Sequence, residues 1–261
     1  MAIKEVFSQP TVQQVIFEIK FPNYFGIDSK IGDFQLLIMS KFPKSKLLFK
    51  QQFGILGTVN KANIPTDFED KIENPPMKIW QFNTESEEIT LNVTTGSLDI
   101  SSKKHKTYNN NGVEQDEKFR ETIIFVITQF LSIIPLKLFS RMGLRYIDRC
   151  PLPDPLTLKS FLQYYNSSIN FKNINTLDIN SIEVLKNELI FIKGNNRKVK
   201  HSEILAVPTK EYELDFDGMA YGVNSEVYLT VLDDIHNDIS ECFEKAINEP
   251  VYKLMREKIK S

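Results

Sequence analysis

Two long stretches carry apolar residues at helical spacing, and each closes a run of shorter stretches in which apolar residues alternate. In residues 114–134 the stripe is Phe119, Ile123, Val126, Ile127, Phe130, Leu131 and Ile134, and Pro135 stops it. In residues 226–247 it is Tyr228, Leu232, Ile235, Ile239, Phe243 and Ala246, closed by Pro250. A chain that switches twice from period two to period 3.6 must lay helices on sheets.

The alternating stretches have a recurring order. In residues 12–21, Val15, Phe17, Ile19 and Phe21 share one face while Gln14, Glu18 and Lys20 share the other, and Pro22 ends the strand. A short helix over 31–42 carries Ile31, Phe34, Leu37, Ile38 and Phe42, and strands are expected at 46–54, 77–83 and 88–102. Thr95-Gly96 reads as a kink or bulge in the last of these, residues 58–76 as a loop, and Asn111 as the cap of the following helix. The order then restarts with a strand at 141–150 ended by Pro151, a helix at 156–165, and strands at 182–193, 197–207 and 211–221. The expected fold is α+β, with two pseudo-repeated β-α-β-β-β-α halves, residues 1–139 and 140–261, as two units or one fused domain. Consecutive strands favour an antiparallel sheet with the helices packed on one face. The element order resembles that of the duplicated TATA-binding-protein saddle, which implies nothing about DNA binding. The tail, residues 251–261, reads as a frayed helix end rather than a docking segment.

Composition narrows the functional classes. Thirty-two basic against 34 acidic side chains give a net charge of −2, so the basic excess of a polyanion binder is missing. The two cysteines, Cys150 and Cys242, form no Cys-x-x-Cys and suit a reducing compartment. The N-terminus has no apolar signal stretch, and the greasiest segment, 123–139, is interrupted by Thr128, Gln129, Ser132, Pro135 and Lys137. These features lead us to expect a cytoplasmic protein without a membrane span.

The segment Arg141-Met142-Gly143-Leu144-Arg145-Tyr146-Ile147-Asp148-Arg149 is the most distinctive. On a strand, Arg141, Arg145 and Arg149 share a face, with Gly143 leaving space between the first two. Three guanidinium forks in line can hold a carboxylate or phosphate bidentately. The alternative is pairing with Glu213, Asp215 and Asp217, which share a face of a later strand, and that structural reading is favoured. Asp215 and Asp217 as a metal or acid/base pair lack further ligands. His105 and His201 lie in basic, exposed-looking runs, and His236 reads as a partly solvated helix residue. No zinc, hydrolase-elbow or phosphate-loop motif is present, so neither a metal nor a cofactor is expected. The basic runs at Lys44–Lys46, Lys103–Lys106 and Arg197–His201 read as solubilising turns rather than a phosphate track.

With these residues in view, the chain resembles a sporadically distributed family of prokaryotic proteins of unknown function. The resemblance rests on Pro10 with Val15, Phe17, Glu18, Ile19, Lys20, Phe21 and Pro22; on Arg141, Gly143, Leu144, Arg145 and Tyr146; and on Leu214, Asp215 and Asp217 before the long final helix. Where that family commonly has Asn two places after the tyrosine, this chain has Asp148. The resemblance implies a compact fold and, from its patchy distribution, accessory genes of antiviral-defence type. It implies no activity. The expected function is therefore a non-enzymatic binding or adaptor protein, acting with a protein partner or as a homo-oligomer. Nucleic acid is not favoured. A sensor of a small anion or nucleotide, and an enzyme with a site assembled from distant residues, are the alternatives.

Overall fold

The alternation in the first strand decides which face of the sheet is covered. Val15, Phe17 and Ile19 of β1 (Val12–Lys20) are fully buried, while Glu18 on the opposite face is only half-buried. The structure, a computed structural model, describes residues 7–50, 77–106, 108, 117–167 and 181–257. After β1 come α1 (Ile27–Ile38), β2 (Lys44–Lys50), β3 (Met77–Asn83), β4 (Ile89–Val93), β5 (Ser97–Ser102) and α2 (Phe119–Ile133). Next come β6 (Leu138–Cys150), α3 (Leu158–Tyr164), β7 (Val184–Lys193), β8 (Arg197–Ala206), β9 (Glu211–Asn224), α4 (Tyr228–Ala246) and α5 (Glu249–Arg256).

Among the described residues the strands form one antiparallel sheet of nine, ordered β2-β3-β4-β5-β1-β6-β9-β8-β7. β1 and β6 lie side by side at its centre, with Phe17 opposite Leu144 and Glu18 opposite Gly143. Helices cover the face that carries Phe17, Leu144 and Phe216. Phe34 of α1 meets Phe82 and Phe130 edge-on at 6.0 and 5.4 Å, Phe130 of α2 packs on Phe21, and Phe161 of α3 packs on Tyr212. α4 lies closest to the backbone, because a β-carbon on Gly218 would stand 2.6 Å from Cγ2 of Ile235. No helix covers the opposite face among the described residues.

Four expectations change. Residues 88–102 are two strands, not one. The apolar residues switch from odd positions (Ile89, Leu91, Val93) to even ones (Leu98, Ile100), which a single strand cannot do. A turn at 94–97 joins them, with Thr94 Oγ1 accepting from the amides of Gly96 and Ser97 at 3.2 and 2.9 Å. Among the described residues the first half therefore has five strands where four were expected, and the second has four. α2 is capped at Lys118, whose amide donates to Glu121 at 3.0 Å, so the helix starts later than residue 114. Asn111 and the 58–76 loop lie outside the described residues. The tail is docked rather than frayed up to Glu257: Pro250 opens α5 instead of merely stopping α4, Val251 and Met255 are buried, and the Gln9 amide donates to the Met255 carbonyl at 3.0 Å.

Candidate functional site

β6 places Met142, Leu144 and Tyr146 under the helices, so Arg141, Gly143, Arg145, Ile147 and Arg149 must project from the helix-free face. β9 likewise turns Glu213, Asp215 and Asp217 to that face, and β1 adds Glu18. All three arginines meet carboxylates. Arg145 donates through Nε and Nη2 to Asp215 Oδ1 and Oδ2 at 2.7 and 2.6 Å, a bidentate pair. Arg141 donates to Glu18 on one side and to both oxygens of Asp217 on the other, at 3.1 and 2.9 Å. Arg149, near the strand end, is paired with Glu211 rather than Glu213.

Gly143 makes the Arg141 bridge possible. Asp217 stands opposite Arg145, not Arg141, so the Arg141 side chain runs along its strand and crosses Gly143. There its guanidinium occupies the space that a β-carbon would take, 2.8 Å from Nη1. Asp217 lies between the two arginines, yet its carboxyl is raised, because burial outweighs their attraction. Hydrogen bonding to Asp215 raises the Arg145 guanidinium further above its ordinary range.

The polar face extends beyond this centre. Gln81 of β3 donates to Asn92 of β4 at 2.8 Å, and Asn92 donates to Asp99 of β5 at 3.0 Å. Asp99 faces Glu18, and its carboxyl is raised, first by burial and also by that neighbour. On the far side Lys200 of β8 faces Asp217 and pairs with Glu188 of β7 at 2.7 Å. The ribbon thus crosses eight strands, with carboxylates (Asp99, Glu18, Asp217, Asp215, Glu188) interleaved with cations (Arg141, Arg145, Lys200), and Arg149 and Lys198 stand on the same face. Of the basic runs, Lys198 and Lys200 stand on this face of β8 and Lys44 and Lys46 on this face of β2, at opposite ends of the sheet rather than in one patch. Lys44 sits at one edge with Glu85 and Glu87, whereas Arg197, near the other edge, reaches under the sheet to Asp234 and Asp238 of α4.

Under the helices lies a second set of polar groups that sequence reasoning missed. Asp233 of α4 accepts both Arg120 of α2, at 2.9 and 3.0 Å, and the Tyr108 hydroxyl at 2.6 Å. His236, one turn on, stacks on Tyr108 with centroids 4.4 Å apart and shares a 3.3 Å hydrogen bond with the Tyr146 hydroxyl. Burial lowers this imidazole to about 4. Asp148 is fully covered, accepts from Thr11 Oγ1 at 2.7 Å, and is raised by burial to about 7. The i, i+3 spacing of Asp233 and His236 on one helix was the available signal.

The expected exposure of His105 and His201 is corrected, since both imidazoles are buried. His105 folds back onto Ser102, with Oγ and Nδ1 2.7 Å apart, and His201 stacks on Phe216 at 4.4 Å. A serine beside a histidine suggests a nucleophile, but Ser102 is completely inaccessible and already accepts the His105 amide. Burial pushes the thiols of Cys150 and Cys242 up, away from thiolate chemistry. Among the described residues no three His, Cys, Asp or Glu side chains are grouped to hold a metal ion. Nor is any helix among them long and apolar enough to cross a membrane. The chain matches no protein-family model, no curated protein and no solved structure with which it was compared.

Proposed function

We propose that this chain is a non-enzymatic binding or adaptor protein that presents the helix-free face of its sheet to a protein partner. The observation that carries this reading is the occupancy of the arginine forks. Arg145 is bidentate to Asp215, and Arg141 is shared between Glu18 and Asp217. A phosphate or carboxylate ligand would have to displace the protein's own carboxylates and leave them half-buried and unpaired, which disfavours the small-anion sensor. The interleaving of carboxylates with the cations of this face, in a chain of net charge −2, likewise leaves no basic excess for nucleic acid. A broad face of mixed polar and half-buried apolar side chains, Ile16, Ile147 and Met219 among them, suits a protein surface.

The order of the strands about β1 and β6 supports a fold that arose by duplication, with the additional strand of the first half at one edge. The family resemblance supports a place in an accessory prokaryotic module of antiviral-defence type. The test is direct. Thermal shift against inorganic phosphate, nucleotides and short oligonucleotides should leave Tm unchanged. Co-purification from the source cells should retain an identified protein partner that Lys198→Glu, on the same face, releases. A nucleotide that raises Tm by several degrees, and ceases to do so in Arg145→Ala, would reverse the order of the two readings.

A further inference from the structure

The segment before β1 is tied at two places. Residues 7–11 form a strap that reaches α5: the Gln9 amide donates to the Met255 carbonyl at 3.0 Å, the Gln9 side chain donates to the Glu257 carbonyl at 2.9 Å, and Phe7 packs on Tyr252 with centroids 6.0 Å apart. The strap is also tied to β6, where the Arg149 amide donates to the Thr11 carbonyl at 2.9 Å and the Thr11 hydroxyl donates to Asp148 at 2.7 Å. Here β1 is held least. It pairs with β5 only from Val15 onward among the described residues, and its pairing with β6 slips at Gln13, since Val12 faces Asp148 while Gln14 faces Ile147. A bulge beside a stretch paired on one side is where a strand end opens at low cost.

Asp148 is the group that such an opening uncovers. It is 2% exposed, and among the described residues its hydrogen bond comes from Thr11 and no cation pairs with it. Its own strand sets the Tyr146 hydroxyl and the Cys150 thiol beside it, and β9 brings Asp215, whose charge opposes its ionisation. α4 joins this set through His236, bonded to Tyr146 and kept neutral by burial. The residue that caps α3, Tyr165, is bonded to the Pro151 carbonyl. α5 buries Val251 and Met255 and leaves Lys253 and Arg256 exposed. A carboxyl closed in this way is held as the acid, and it ionises only when water reaches it. Thr11 is the tie beside it that can yield without parting a strand paired on both sides.

We infer that the strap and Asp148 form a proton-controlled clasp: residues 7–11 close on the neutral acid, and loss of its proton lets them swing away from β6 and α5 about Gln13. This is independent of the reading of the helix-free face, since the clasp opens whether or not a partner binds there. An acid neutral when closed and ionised when open favours the closed form at low pH. That advantage is complete below about 4 and is gone once pH has passed about 7. Amide hydrogen exchange of the full chain, corrected for its intrinsic pH dependence, reads the opening. Protection of the Gln9 and Arg149 amides should fall on the order of a hundredfold from pH 5 to pH 8, and should stay below that of Phe17 and Leu144 at both. In Asp148→Asn the fall should vanish. Thr11→Val should lower the protection at both pH values and keep the fall. The inference is overturned by protection that is the same at pH 5 and pH 8, by a fall that survives in Asp148→Asn, or by a Thr11→Val chain protected like the parent. Equal protection of the strap and of Phe17 and Leu144 overturns it as well, because Asp148 would then be uncovered only by global unfolding.

Discussion

The guanidinium of Arg141 lies over Gly143, where a β-carbon would come within 2.8 Å of Nη1. The Arg-x-Gly spacing is therefore a seat for a side chain, not a hinge. Gly143→Ala should displace the guanidinium from both Glu18 and Asp217 and cost about 1 kcal/mol, the crowding being partly offset by alanine's better fit to a strand. In an Arg141→Ala background the same substitution should cost nothing further or stabilise. Urea denaturation of the two singles and the double decides it, and simple additivity would refute the seat.

Arg145 and Asp215 test the value of the central pair. The Asp215 side chain is 12% exposed and that of Arg145 42%, so the cost should fall between a surface and a buried pair. We expect Arg145→Ala and Asp215→Ala each to cost about 1–3 kcal/mol, and the double mutant to cost less than their sum. Unchanged stability in Arg145→Ala would show that the pair contributes little.

Asp148 gives the fold a pH dependence. Its folded pKa is raised to about 7, chiefly by burial and against the Thr11 hydrogen bond, so ionisation opposes folding. Stability held by the neutral acid is complete below the unfolded value of about 4 and is lost as pH rises through about 7. Asp148→Asn should therefore change little near pH 4 and stabilise by about 2–4 kcal/mol at pH 8. Chemical denaturation at the two pH values measures the difference, and an equal effect at both would exclude a neutral acid.

Gly218 sets the distance between α4 and β9. A methyl group there would meet Ile235 and Ile239 at 2.6 and 2.8 Å. Gly218→Ala should destabilise by about 1–3 kcal/mol, and Ile235→Val in the same chain should recover part of the loss. Thermal melts of the three variants suffice, and a neutral Gly218→Ala would show that α4 can move aside.

Much of this was legible because burial repeats with the secondary-structure period. Val15, Phe17 and Ile19 announced β1, and the Phe119 to Phe130 stripe announced α2. The shared face of Arg141, Arg145 and Arg149, and of Asp215 and Asp217, followed from parity alone. Glu18 did not, because its approach to Arg141 depends on which strands become neighbours, and 123 positions separate the two residues. The β4–β5 turn was overlooked although the parity switch between Val93 and Leu98 marks it. Pro250 misled because proline ends one helix and begins another equally well. The histidines at 105 and 201 looked solvated because lysines stand beside them, whereas His201 is buried by the alternation of β8 and His105, past the end of β5, by its hydrogen bonds back to Ser102.

The central seam between β1 and β6 also bears on synthesis. β1 emerges with the first part of the chain and pairs with β5, but its other edge has no partner until β6, residues 138–150, has left the ribosome. At ~5–20 residues per second that edge waits on the order of ten seconds. Val15, Phe17 and Ile19 sit on the waiting strand, which makes the half-made chain a client for chaperones and a site for mispairing between nascent copies. The seam that unites the finished sheet is thus the later of the two pairings that β1 can make as the chain grows.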